Sequence, residues 1–161
     1  MQSLVRLSKI TIISILCFLS LAACGNKSVQ AGSGETVSTA LFDFSITDAE
    51  VLDSYTDIEI PQGQKLVRLW LLVKNTSQQS YTMFAQDFQI QWGEGDSDFG
   101  TCLDAVDSTM MPESYQLDPG KSHQGAMLVL VPQDCTDLTV AYQEVTSKGK
   151  KGTAYFLEVT L

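Results

Sequence analysis

From residue 40 onward, apolar and polar residues alternate with a period of two. Phe42, Phe44 and Ile46 alternate with Asp43, Ser45 and Thr47, which predicts a strand with one apolar face. Residues 50–60 form a weaker strand with an acid every few positions, placed near a sheet edge. Pro61-Gln62-Gly63 is a turn. The strongest strand is 65–74 (KLVRLWLLVK), with Val67, Leu69, Leu71 and Val73 on one face and Leu66, Arg68, Trp70 and Leu72 on the other. Trp70, in mid-strand, is expected to fill the core.

A further strand covers 84–92, and the loop GEGDSDFG follows at 93–100. The stretch 101–112 reads as irregular. Strands at 114–117, 125–131, 138–143 and 153–161 complete the pattern. They are separated by the turn at Asp118-Pro119-Gly120, by Pro132, and by the basic hairpin loop KGKKG at 148–152. No helical period appears. Seven or eight short strands with regular turn signals predict an all-β fold, an antiparallel β-sandwich.

The N-terminal segment breaks this pattern. Arg6 and Lys9 precede a run of about a dozen apolar residues, 10–21, and then Ala22 and Ala23. That is the layout of an export signal, and the run is shorter than the roughly 20 residues a membrane-spanning helix needs. Leu21-Ala22-Ala23-Cys24 matches the bacterial lipobox, so 1–23 is read as a signal peptide. Cys24 is then the lipidated N-terminus that holds the protein to the membrane on its extracytoplasmic side. Residues 24–39 are rich in Gly, Ser and Thr, with Val29 and Val37 their only large apolar residues. They read as a flexible tether. Residues 40–161 form a single domain.

Cleavage removes Arg6 and Lys9 and no acid. Lys+Arg falls from 10 to 8 against 19 Asp+Glu, a formal charge of −11. Such a surface repels phosphate polyanions and anionic headgroups, so nucleic acid is not an expected partner. Cys102 and Cys135 remain after Cys17 is discarded and Cys24 lipidated. In an exported domain they are expected to form a disulfide, which would contribute roughly 3–4 kcal/mol. The other uses of such a pair, a redox dithiol or metal ligands, lack CxxC spacing and further histidines, because His123 is the only one.

Several segments resemble a known family. They are Gly63-Gln64-Lys65-Leu66-Val67 onward to Asn75, then Asp87-Phe88, Leu117-Asp118-Pro119-Gly120, Gly125, and Val131-Pro132. They are similar to the immunoglobulin-like domains of exported bacterial lipoproteins in the superfamily of the immunoprotective extracellular protein. The resemblance implies an immunoglobulin-like sandwich over about 40–161 and says little about chemistry.

No catalytic constellation emerges. His123 stands beside Ser122, but strand neighbours point to opposite faces, and the chain is not expected to be an enzyme or to need a cofactor. A weak alternative is calcium. Glu94, Asp96, Asp98, Asp104 and Asp107 fall close together, but the calcium-loop frame fails at Gly100 and Thr101. The expected role is a non-catalytic interaction module at the cell surface, its protein or polymer partner unspecified, with a small-ligand or calcium site in 94–107 as the alternative.

Overall fold

The computed structural model describes residues 27–95, 97–146 and 148–161. The signal segment, Cys24 and Asp96 lie outside them. The chain folds as an immunoglobulin-like β-sandwich, with eleven strands among the described residues. Their ranges are β1 Ser28–Ala31, β2 Val37–Ser38, β3 Phe42–Leu52, β4 Gln64–Asn75, β5 Tyr81–Phe84 and β6 Phe88–Gln91. The rest are β7 Phe99–Thr101, β8 Ser114–Leu117, β9 Ser122–Pro132, β10 Asp137–Val145 and β11 Lys151–Thr160. One sheet has the order β2-β3-β4-β9 and the other β1-β11-β10-β6-β7; β5 and β8 form a separate ribbon. Every pairing between these strands is antiparallel except β1 with β11.

The inner faces follow the alternation. Val67, Leu69, Leu71 and Val73 of β4 are fully buried, and they pack with Phe88, Ile90, Val140, Leu157 and Val159 of the facing sheet. Phe42, Phe44, Phe88 and Tyr142 form an aromatic cluster with ring centroids 4.8–6.2 Å apart in edge or tilted contacts. Each buried aromatic or aliphatic side chain contributes roughly 1.5–3 kcal/mol, so this layer dominates the stability.

The strand expected at 50–60 is absent. β3 continues to Leu52 instead, with a register irregularity between Ile46 and Asp48. The extra residue inverts the alternation. Phe42, Phe44 and Ile46 face the core, whereas Asp48 and Glu50 lie opposite Trp70 and Arg68 on the outside. Without the bulge both carboxylates would enter the core. The expected strand at 84–92 is divided by a short 3-10 turn, Ala85–Asp87. There the Asp87 carboxylate accepts the Phe84 N–H at 3.0 Å.

Two further readings need correction. The stretch assigned to the tether contains β1 and β2, and Val37 is only 1% exposed inside the core. Trp70 is on the outer face of the four-stranded sheet, not in the core. It joins a second apolar cluster around Leu66, Met110, Ala126 and Leu128. The segments 53–63 and 103–111 cover this cluster. Leu103 N–H donates to the Leu128 carbonyl at 2.7 Å and Met111 N–H to the Ala126 carbonyl at 2.8 Å. Gly125 makes the close approach possible, because a Cβ there would lie 2.8 Å from the Met111 nitrogen.

Candidate functional site

Of the five carboxylates singled out in the sequence, the four that lie among the described residues, Glu94, Asp98, Asp104 and Asp107, do not converge. Asp98 turns into its own loop, where its carboxylate accepts the Gly95 N–H at 2.9 Å and its carbonyl accepts the Trp92 N–H at 2.9 Å. Asp107 lies instead on the outer face of the four-stranded sheet. The Tyr55 hydroxyl donates to its Oδ2 at 2.5 Å, and the Thr109 hydroxyl and N–H donate to Oδ1 at 2.7 and 2.8 Å. These donors, Tyr55 foremost, hold the Asp107 carboxyl down at about 2. Asp104 lines a different depression beside Cys102 and Met111. Among the described residues no group of three His, Cys, Asp or Glu side chains is arranged to hold a metal ion.

The expected disulfide is not formed: Cys102 and Cys135 are both buried free thiols. The two cysteines are attached at different levels of β9. Cys102 precedes the residue anchored at Leu128, whereas Cys135 N–H closes a turn onto the Pro132 carbonyl, four residues further along β9. About 13 Å of strand separates those two anchor points at roughly 3.3 Å per residue. Burial pushes both thiols up from their ordinary range. The Cys135 thiol donates to the Asp137 carbonyl at 3.1 Å. These are properties of packed cysteines, not reactive ones.

His123 stacks on Tyr115 at 4.3 Å between centroids and 23° between planes. The Tyr115 hydroxyl is buried without a hydrogen-bond partner among the described residues, and burial drives its ionisation above the ordinary phenol range. The stacked imidazole and phenol pack the β8–β9 corner.

The outer faces of the two sheets differ. That of the four-stranded sheet is covered by 53–63 and 103–111. That of the five-stranded sheet carries an open depression of about 610 Å³. Gln89 and Gln91 of β6 and Gln143 of β10 supply carboxamides; Phe99 of β7 and Phe156 of β11 supply phenyl rings. Phe99 is 45% exposed. Gln143 is fixed by donating to the Gly152 and Thr153 carbonyls at 3.1 and 3.2 Å. Asp87 and Tyr142 lie at the rim. Partial burial raises the Asp87 carboxyl, and the Tyr142 phenol is pushed up to about 12 by burial and then by Asp87. Apart from Asp87 at the rim the lining is uncharged and amide-rich, suited to hydrogen bonding and to stacking. Sequence alternation marks Gln89 and Gln91 as outward-facing, but only the strand order β11-β10-β6-β7 brings Phe99 and Phe156 to the same depression.

No curated protein matches the chain. Solved structures with a similar fold include ycdA of Bacillus subtilis, a candidate lipoprotein, at 18% identity and TM-score 0.62, covering 78% of this chain. The chain corresponds to only 38% of ycdA. The yjhA protein of Bacillus subtilis is similar at 13% identity and TM-score 0.57, over 80% of this chain and 98% of its own. A functionally unknown protein of Listeria monocytogenes matches at 9% identity and TM-score 0.53, over 81% and 82% of the two chains. At these identities the likeness is one of fold. The family described as "Domain of unknown function (DUF4352)" matches residues 31–152, and the chain belongs to that family.

Proposed function

We propose that this protein is a lipid-anchored component of the bacterial cell envelope whose sandwich works by non-catalytic binding. The anchor is Cys24, supported by the lipobox Leu21-Ala22-Ala23-Cys24 and by the fold likeness to a candidate lipoprotein. Kinship with the immunoprotective extracellular protein superfamily belongs to the same reading and rests on the turn and core positions between Gly63 and Pro132. The observation that carries the binding role is the difference between the two outer faces. One is covered by loops, while the other exposes carboxamides and phenyl rings around a depression of about 610 Å³.

A photo-crosslinking side chain placed at Gln91 in intact cells tests this. It should capture an envelope component more strongly than the same side chain at Asp57, beyond the covered face. Equal capture at both positions would contradict the assignment of the face.

A further inference from the structure

Charge on this domain is segregated along the strand axis. The parallel register Ser28↔Ala154 sets Lys27 beside the start of β11, where the Ala154 N–H donates to the Lys27 carbonyl at 2.9 Å. The adjoining β10–β11 hairpin carries Lys148, Lys150 and Lys151, all exposed. The Ala40 N–H reaches the Glu144 carboxylate at 3.4 Å, so the β2–β3 turn lies at the same end. Phe42 pairs with Asn75 there, and the Asn75 N–H donates to the Lys121 carbonyl, which adds Lys74 and Lys121. Six of the eight basic residues that follow Cys24 thus share one end.

Among the described residues the one ion pair is Arg68–Glu50, so none of these six lysines is within ion-pair distance of a carboxylate. The acids at this end are Asp43, Asp87, Asp118 and Glu144. Of these, Glu144 is held by Ala40, Thr153 and Tyr155, and Asp118 accepts the Ser80 hydroxyl. The opposite end bears Asp57, Glu59, Glu94, Asp98, Asp134 and Asp137.

Two observations say what meets the basic end. Lys27 is three residues from Cys24, and an extended chain covers at most about 3.6 Å per residue. A lipid on Cys24 would therefore lie within about 11 Å of Lys27. Val145 stands among the lysines, paired with Lys151 and 64% exposed. We infer that the basic end is a membrane-docking surface: the β10–β11 hairpin lysines and Val145 contact anionic phospholipid headgroups next to the anchor. This rests on the lipid-anchor reading of Cys24. The net charge of −11 does not oppose it, because charges more than about 10 Å from the bilayer are screened at ordinary ionic strength. A basic patch beside a lipid chain supplies the second signal that steadies membrane attachment. In this orientation the acidic end points away from the bilayer, and the depression of the five-stranded sheet stands on a side wall, open to partners.

The test uses the lipidated full chain in vesicles of phosphatidylcholine alone or with added phosphatidylglycerol. Flotation with both vesicles first establishes the anchor independently. Acylation of Lys148, Lys150 and Lys151 should then be severalfold slower on the anionic vesicles, recovering at high salt, while Lys65 at the far end is unchanged. The variant Lys148→Glu/Lys150→Glu/Lys151→Glu should float equally but lose the protection of Lys27. Identical acylation rates on the two vesicles, in a chain that floats with both, would overturn the inference. Protection by poly(glycerol phosphate) but not by phosphatidylglycerol would overturn it too, and would assign the surface to an envelope polymer.

Discussion

Asn75 donates its carboxamide N–H groups to the Leu117 carbonyl at 2.8 Å and the Gln79 carbonyl at 2.7 Å. It is the one polar residue fully buried among the described residues. Its Oδ1 accepts the Ser77 N–H and hydroxyl at 2.9 and 2.8 Å. One side chain thus ties the end of β4 to the following turn and to β8. Asn75→Ala would leave buried carbonyls unpaired, at a cost of about 3 kcal/mol. For a domain of this size that is a fall in Tm of roughly 10 °C, read by thermal denaturation. A shift within 2 °C or so would contradict the role.

Gly125→Ala tests the packing of 103–111 over β9. The new methyl group would meet the Met111 backbone at 2.8–2.9 Å. Overpacking of this kind costs about 2 kcal/mol, and amide exchange at Leu103 and Met111, whose N–H groups bond to β9, should accelerate with it. Unchanged exchange would show that the segment is not held through this contact.

The Tyr55–Asp107 hydrogen bond makes a pH prediction. The folded Asp107 carboxyl titrates at about 2, against 3.8 ordinarily. A depressed carboxylate stabilises the fold above its unfolded value, and that contribution is lost as the pH falls from about 4 towards 2. NMR titration should find the Asp107 midpoint raised towards the ordinary value in Tyr55→Phe. An unchanged midpoint would place the cause elsewhere.

Cys102 and Cys135 should both alkylate in denaturant without reductant, and both should react slowly in the native state because the thiols are buried and protonated. A mass two hydrogens lighter before reduction would contradict the unbonded state.

The sequence carried the core strands because β4 and β11 bury alternating faces and β9 is a continuous apolar run ended by Pro132, patterns that need no partner to be recognised. It did not carry β1 and β2. Val29 and Val37 are too few to show a period, and their strands exist only because β11 and β3 offer edges. The bulge after Ile46 left residues 50–60 looking like an independent strand, since a phase inversion and a new element give the same local pattern. Trp70 was misplaced because a strand buried on both faces does not reveal which side is the sandwich interior. The cysteine pair was misread from compartment and count alone, because sequence spacing carries no information on their separation in the register. The carboxamide depression and the basic end are assembled across strands, so only the sheet order makes either visible.

The central claim, attachment through Cys24, is tested most directly by the mass of the N-terminal peptide of the protein extracted from the membrane fraction. The account predicts a chain that begins at Cys24 and is heavier than its sequence by a thioether-linked diacylglyceryl group. A chain recovered in the soluble fraction, beginning at another residue or carrying Cys24 as an unmodified thiol, would contradict it.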